Sequence, residues 1–356
     1  MRIFIRVDAS QSIGTGHLNR CLNLADALQL RGHKSLFAMN VSDLNFRQKI
    51  LMRGHKVVNL YNHFSQVDNH NAKLIQEKQF YDAEECLKIL NEYQPDLSIV
   101  DHYNLDYNWE NIVKPKTNKI LVIDDLANRE HDCDFLLDQT PIRNYKDYAN
   151  LVGENTTLLI GPQYSILHPD FNLYRNENTT RPISQDNLVV GIGGTDSNNL
   201  IPKILNYLEQ SPKFAEKQIH VLISSMAPQI KFLEKTINSS PLQVKLYVEA
   251  QNFVQLLASA DLAISGGGLM SLELACLGIP AVILPLTKIQ SDVSTKLAEE
   301  VNFIVASDWH NNFESSLSIC FESLLKTVSA SEKRRFHNEI DGLGVTRLVD
   351  YIINYA

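Results

Sequence analysis

The chain has 356 residues, with 33 Lys and Arg against 41 Asp and Glu and a formal charge of −8. That is about twice a typical ~150-residue domain, so two domains are expected, and the acidic balance speaks against a binder of duplex nucleic acid, which carries a basic stripe. The 44% hydrophobic and 21% charged fractions are those of a globular protein and exclude a mostly disordered chain.

The N-terminus, "MRIFIRVDASQS", reads as a first strand and not as a signal peptide, and no run reaches the ~20 apolar residues of a membrane span. Cys21, Cys86, Cys133, Cys276 and Cys320 are scattered and form no CxxC pair, which fits reduced thiols in the cytoplasm better than a disulfide framework or a zinc site. No structural metal and no cofactor are expected. No nucleic-acid partner is expected.

From the first strand at 3–7 the rhythm is strand, glycine-rich loop, helix, strand at 35–39, helix, strand at 56–60, the pattern of βαβ units around a parallel sheet. The helix that opens near His17 is marked by Leu18, Cys21, Leu22, Ala25 and Leu28 at three- and four-residue spacing and stops at Gly32. The polar stretch 62–79, with His63 and His70, reads as a surface insertion. Further strands at 97–100, 120–123, 135–137 and 158–160 complete a first α/β domain over 1–180.

The segment 174–187, "YRNENTTRPISQDN", is polar, lacks apolar periodicity and holds one proline, as an interdomain linker does. Strands at 188–192, 219–223, 244–247, 262–265 and 281–284, with helices at 252–260 and 269–277 among them, then build a second doubly wound domain over 181–342. The last stretch, 343–356, is predicted to be a helix packing back on the first domain. Two such domains place a ligand crevice outside the carboxyl ends of both sheets, in the interdomain cleft.

Three glycine-rich turns stand at strand ends. Gly14, Thr15 and Gly16 lie between the first strand and first helix, where backbone amides and the helix dipole favour an anion. His17 follows at once, a side chain whose ordinary pKa suits proton transfer at neutral pH; a plain tight turn with a capping histidine would look the same. The spacing is not GxGxxG, so a dinucleotide site is weakly supported. Gly193, Gly194 and Thr195 form a second anion-binding turn or a simple strand-to-helix turn. In "ISGGGLMSLELACLGIP", Gly267 and Gly268 precede Met270, Ser271 and Glu273, and a carboxylate one helical turn along can take both hydroxyls of a ribose or merely favour the helix start. Gln290, after the next strand, would face the same cleft.

Asp101, His102 and Tyr103 follow one first-domain strand, and Asp124 and Asp125 another, at the end where this fold class binds ligands. Successive strand residues point opposite ways, so at most one of Asp124 and Asp125 faces the cleft and the other caps a helix; Asp124 is taken as the substrate-facing one. The cluster "REHDCD" at 129–134 fits no usual zinc spacing.

The motifs "RVDASQSIGTGHLNRCLNLADAL", "DAEECL", "IVDHYNLDYNWE", "IDDLANREHDCDFLLDQT", "GPQYSILHPDF", "GGTDSNN" and "DGLGVTR" resemble, nearly end to end, the PseG family of UDP-2,4-diacetamido-2,4,6-trideoxy-β-L-altropyranose hydrolases of pseudaminic acid biosynthesis. The resemblance implies a GT-B-type, MurG-like fold that delivers a UDP-linked sugar to water without a metal. On this sequence it implies His17 as the general base of an inverting attack and Tyr103 as a residue positioning sugar or water. It further implies Glu273 at the uridine ribose and Gly267, Gly268, Met270 and Ser271 near the diphosphate. The chain departs from the family where Ile289 replaces an asparagine, where Trp and Arg are absent beside Glu273, and where His168 replaces an arginine. A glycosyltransferase on the same scaffold and a non-catalytic sugar-nucleotide binder are the alternative readings; the intact Gly14–His17 loop speaks against the second.

Overall fold

The structure, a computed structural model, describes residues 1–10, 13–40, 44–61, 72–331 and 334–355. The chain divides into two compact units: Met1–Ile13, His17–Ile166 and Gly344–Ala356 form the first, and Gly14–Gly16 with Leu167–Leu343 the second. No described helix is long and apolar enough to cross a membrane.

In the first unit the order is β1 (Arg2–Val7), α1 (Gly16–Leu30), β2 (Lys34–Met39), α2 (Leu44–Met52), β3 (Lys56–Asn59), α3 (Ala72–Tyr93), β4 (Leu97–Asp101), α4 (Tyr107–Val113), β5 (Lys119–Ile123), β6 (Phe135–Asp138), α5 (Tyr145–Tyr148) and β7 (Thr157–Ile160). The polar stretch expected as an insertion at 62–79 lies outside the described residues up to 71, and from Ala72 it is the start of α3. All pairs are parallel, in the order β3-β2-β1-β4-β5-β6-β7. Because helices cover both faces of such a sheet, its strands are apolar without alternation: Ile3, Phe4, Ile5 and Val7 of β1 are all fully buried. Arg6 is the exception, buried among them, and it is paired with Asp8 at 2.5 Å and Asp82 at 2.7 Å, as a buried charge must be. Trp109 of α4 donates to the same Asp82, tying α3 to α4.

The second unit holds α6 (Asp170–Asn178), β8 (Asn187–Gly191), α7 (Leu200–Glu209), β9 (Gln218–Ile223), α8 (Ile230–Ser239), β10 (Gln243–Val248), α9 (Phe253–Ala258), β11 (Leu262–Ser265), α10 (Leu269–Leu277), β12 (Ala281–Ile283), α11 (Lys288–Leu297), β13 (Phe303–Val305) and α12 (Phe313–Ser331). Its sheet is again parallel, in the order β10-β9-β8-β11-β12-β13. The stretch expected as a linker starts inside α6, which belongs to this unit: Arg175 reaches the carbonyls of Cys276, His337 and Ile340, and Asn178 that of Leu277. Polar side chains that satisfy buried carbonyls give a helix no apolar period, which is why its pattern reads as a linker. The short β13 has no counterpart in the sequence reading, since three residues carry no period.

The chain then re-enters the first unit as α13 (Gly344–Tyr355), whose Tyr351 packs edge-on against Phe135 at 5.9 Å. The motif "DGLG" at 341–344 has a steric reason. A Cβ at Gly344 would stand 2.4 Å from the Ser165 carbonyl oxygen, and one at Gly342, where φ is +82°, would stand 2.5 Å from the Asn172 nitrogen. Backbone cannot yield as a flexible side chain can. Gly344→Ala is therefore expected to lower stability by about 1–3 kcal/mol, measured as a reduced Tm and earlier proteolytic loss of α13; an unchanged melt would show that the contact relaxes freely.

Candidate active site

In each sheet the chain reverses its direction of winding at one point, between β1 and β4 in the first unit and between β8 and β11 in the second. Loops leaving such a pair diverge and open a crevice at the carboxyl ends of the strands. In the first unit Val7 pairs with Asp101 at that point. The loop after β1 leads to α1, whose second residue is His17, and β4 ends in Asp101.

The two side chains meet: His17 Nδ1 lies 2.6 Å from Asp101 Oδ1. Arg20, one turn further along α1, grips the same carboxylate with two donors, Nε to Oδ2 and Nη2 to Oδ1, both at 2.7 Å. Its remaining arm, Nη1, donates to both oxygens of Asp125 at 3.0 and 2.8 Å. The Tyr103 hydroxyl donates to Asp125 at 2.9 Å, and the Tyr103 ring meets the His17 ring edge to face at 4.6 Å. Burial alone would raise the Asp101 carboxyl, but the Arg20 charge, with help from His17, holds it well below the usual carboxylate range. Burial and the Asp125 charge push the Tyr103 phenol far above its ordinary value, so it stays a neutral donor.

These contacts fix the imidazole. An anionic carboxylate has no proton to give, so the 2.6 Å contact requires the proton on Nδ1. Nε2 then carries the lone pair, on a side chain that remains 13% exposed. A carboxylate behind a histidine that keeps one nitrogen protonated and the other free is the arrangement of a general base with its orienting acid.

Of the adjacent pair after β5, the structure brings Asp125 to Arg20 and Tyr103 and turns Asp124, the one expected to face substrate, the other way. Asp124 is fully buried, takes a 2.8 Å hydrogen bond from Arg129 and another from the Ala127 amide, and lies 3.0 Å from the Tyr148 hydroxyl. Alternation at a strand end allowed either choice, and only the positions of Arg20 and Arg129 decide it. Tyr148 also lies 2.8 Å from Asp138. The Tyr148 hydroxyl thus faces both carboxyls, and burial together with the Asp125 charge pushes the Asp138 carboxyl up to about 7. Arg20 and Asp125 are the functional side chains that sequence reading missed as members of the site. The available signal was "HLNR", which sets Arg20 three residues from His17 on the same helix face.

His102 is occupied elsewhere. Its Nδ1 accepts from the Asn104 amide and its Nε2 contacts Asp8 at 3.1 Å, so it braces the loop behind β1. His131 likewise contacts Glu110 at 2.7 Å in the interior. Among the described residues no group of three or more His, Cys, Asp or Glu side chains is placed to hold a metal ion. Gly14 takes a φ of +84°, Thr15 is buried, and Gly16 starts α1, whose first turn has no acidic side chain.

In the second unit Ser265 pairs with Gly191 across the corresponding point. The turn Gly266–Gly268 leads into α10 with no side-chain cap and no acid in its first turn among the described residues, a helix start whose amides suit an anion. Gly267 has a φ of +80° and a Cβ there would press on Ile283 and Ser294 at 3.1 Å. Gln290 sits beside this turn: its Oε1 accepts from the Leu286 amide, and its Nε2 is 3.7 Å from where a Cβ of Gly268 would stand. Met270 covers Gly191, and Ser271, fully buried, gives its hydroxyl to the Gly268 carbonyl at 2.7 Å, so it braces the turn instead of presenting to a ligand.

The turn at Gly193, Gly194 and Thr195 is built differently. The amides that open α7 are already taken by Asp196, from Leu200 at 2.8 Å and Ile201 at 3.0 Å, and the turn is pinned by Ser224 to Gly194 and by Gln229 to Thr195. Its helix start is therefore self-capped.

Glu273, one turn into α10, is only 7% exposed and has no hydrogen-bonding or ion-pair partner among the described residues. Burial alone pushes its carboxyl up to about 8. Since its folded value lies above the ordinary 4.5, this acid favours folding fully below about 4.5 and the benefit is lost as pH rises towards about 8. Glu273→Gln is thus expected to melt with the parent at pH 4.5 and to be more stable by at least ~1 kcal/mol at pH 8.5; equal melts at both pH values would show the carboxyl to be partnered.

No family model matches the chain. It is 25% identical over 301 residues to the uncharacterized protein MJ1062 of Methanocaldococcus jannaschii, covering 82% of this chain and 57% of the other. It is 30% identical over 149 residues to the spore coat polysaccharide biosynthesis protein SpsG of Bacillus subtilis, 42% of this chain and 43% of that one. The match thus spans about half the length of these two relatives. A UDP-2,4-diacetamido-2,4,6-trideoxy-beta-L-altropyranose hydrolase of Campylobacter jejuni is 26% identical over 273 residues, 76% of this chain and 87% of the hydrolase. Among solved structures, MurG of Acinetobacter baumannii superposes with a TM-score of 0.61 at 14% identity, 99% of each chain. The calicheamicin glycosyltransferase CalG4 gives 0.66 at 15% identity, covering 100% of this chain and 98% of its own. The resemblance to the PseG family carried by the sequence motifs therefore stands: the chain is a relative of the Campylobacter jejuni hydrolase, built from two parallel α/β units with the GT-B fold of MurG and its glycosyltransferase neighbours.

Proposed function

We propose that this chain is an enzyme acting on sugar nucleotides, and that it hydrolyses a UDP-linked 2,4-diacetamido-2,4,6-trideoxy sugar at the anomeric C–O bond. The single observation that carries the reading is the 2.6 Å His17–Asp101 pair, whose anionic carboxylate calls for the ring proton on Nδ1 and leaves the lone pair on Nε2. In this reading His17 Nε2 takes one proton from a water as the water oxygen attacks the anomeric carbon from the face opposite the diphosphate. The C–O bond breaks, UDP departs with the electron pair, and the sugar leaves inverted. The imidazolium formed is stabilised by Asp101, as in other acid-oriented histidine bases. Tyr103 positions sugar or water beside His17. From the second unit, the Gly266–Gly268 turn and the start of α10 hold diphosphate charge with no metal required, and Glu273 accepts the ribose hydroxyls it lacks as partners. The relatives' names support a role in surface-polysaccharide or pseudaminic acid biosynthesis. Five free thiols suit the cytoplasm.

The likeness to MurG and CalG4 supports a second reading, a glycosyltransferase in which His17 deprotonates an acceptor hydroxyl instead of water. One experiment separates them. The purified chain, given UDP-2,4-diacetamido-2,4,6-trideoxy-altrose in EDTA and without acceptor, is expected to release UDP and free sugar; release that appears only with an added acceptor would establish the transferase, and none with either would defeat both. His17→Asn is expected to lose about 10²–10⁴ in kcat while binding UDP within about threefold of the parent. Near-normal turnover of that variant would remove His17 from the role of base.

A further inference from the structure

The reaction so described uses His17 and Asp101 but leaves unexplained why a second carboxylate, Asp125, and a cation, Arg20, are buried against them. We infer that Arg20 is a positioning residue for this reaction: by holding Asp101 and Asp125 together as anions, it fixes which nitrogen of His17 and which atom of Tyr103 are free to face substrate. The inference rests on the reading of His17 as base.

Arg20 lies inside the protein, and among the described residues its ion pairs are to these two carboxylates. Guanidinium nitrogens only donate, so the 3.2 Å approach of Arg20 Nη2 to His17 Nδ1 cannot accept the ring proton, and that proton goes to Asp101. Take the guanidinium away and two buried carboxylates are left side by side without a cation, in surroundings where one of them must take up a proton. Asp101 in its acid form would donate to Nδ1 instead of accepting from it. The imidazole proton would then sit on Nε2, and the lone pair needed for the base would be spent inside the protein.

The charge count points the same way. Two carboxylates and one guanidinium leave the cluster at −1 when His17 is neutral and at zero once it has taken the proton of the attacking water. The cluster is thus electrically matched to the protonated histidine that forms during the reaction and not to the resting one, which is the property that lowers a barrier. On its other arm Arg20 holds Asp125, which takes the single Tyr103 proton. Tyr103 therefore meets substrate only as an acceptor, suited to an amide N–H, a hydroxyl or the attacking water.

The test compares Arg20→Met and Arg20→Lys with the parent, each first shown to be folded by its melt. Two-bond 15N spectra of the ligand-free proteins above neutral pH report which ring nitrogen of His17 carries the proton. The parent is expected to show Nδ1–H and Arg20→Met to lose that signature. With the UDP-sugar, Arg20→Met should fall at least ~10²-fold in kcat with KM within about threefold, and Arg20→Lys, which keeps the charge but not the fork, should recover at least ~10-fold of that loss. An unchanged Nδ1–H signature in Arg20→Met, or a loss no greater than its folded fraction explains, overturns the inference. If Arg20→Met does not fold, Asp125→Asn, close in shape, takes its place: a fall in kcat of about tenfold at constant KM supports the inference and unchanged kcat overturns it. The tautomer is read without turnover, so a parent chain that shows Nδ1–H yet releases no UDP defeats the hydrolase reading alone.

Discussion

The guanidinium of Arg20 sits in the interior and binds the carboxylate that ends β4, Asp101 at 2.7 Å, and one just past the end of β5, Asp125 at 2.8 Å. Buried charges are tolerable only when paired and fully hydrogen-bonded, and breaking such a pair is costly because the survivor cannot be solvated. This fork-to-two-acids contact is the constraint from which the rest of the first unit's site follows. It keeps Asp101 anionic, orients His17 and anchors Tyr103 through Asp125. Behind it, Arg6 repeats the device with Asp8 and Asp82, so that the floor of the loop after β1 is also set by a buried arginine between two acids.

The two units use the same topology for different chemistry. In both, the strand order reverses beside the first strand, and in both the residues of interest follow the two strands at that point. The first unit fills the position with ionisable side chains locked into one network. The second fills it with glycine, backbone amides and one acid, Glu273, that has no partner among the described residues. Ionisable groups in a dense hydrogen-bonded network suit proton transfer, whereas exposed amides at a helix start suit an anion whose charge does not change.

Much of this is written in local sequence. Continuous apolar runs gave the buried parallel strands, and glycines at 14, 267 and 342 stand where φ is positive. The histidine after the first turn and the lone glutamate in the apolar helix 269–277 were both visible as chemistry out of place in their surroundings. What local reading could not supply were distances across the fold. Arg20 and Asp101 are 81 residues apart and Arg20 and Asp125 are 105 apart. The choice of Asp125 over Asp124 turns on which of two arginines lies on which side of the strand end. The same limit explains α6, whose Arg175 and Asn178 serve carbonyls about a hundred or more residues away and so show no period of their own.

By itself, then, the sequence determined the class of fold, the places where the chain must turn, and the kinds of chemistry available at each strand end, because periodicity, glycine and charge are properties of neighbours along the chain. The tertiary structure alone decided which of those groups share a proton, which are spent bracing loops as His102 and Ser271 are, and which, like Glu273, have no partner among the described residues. A hydrogen bond depends on separations of about 3 Å between atoms, and those separations are set only when the strands are laid side by side.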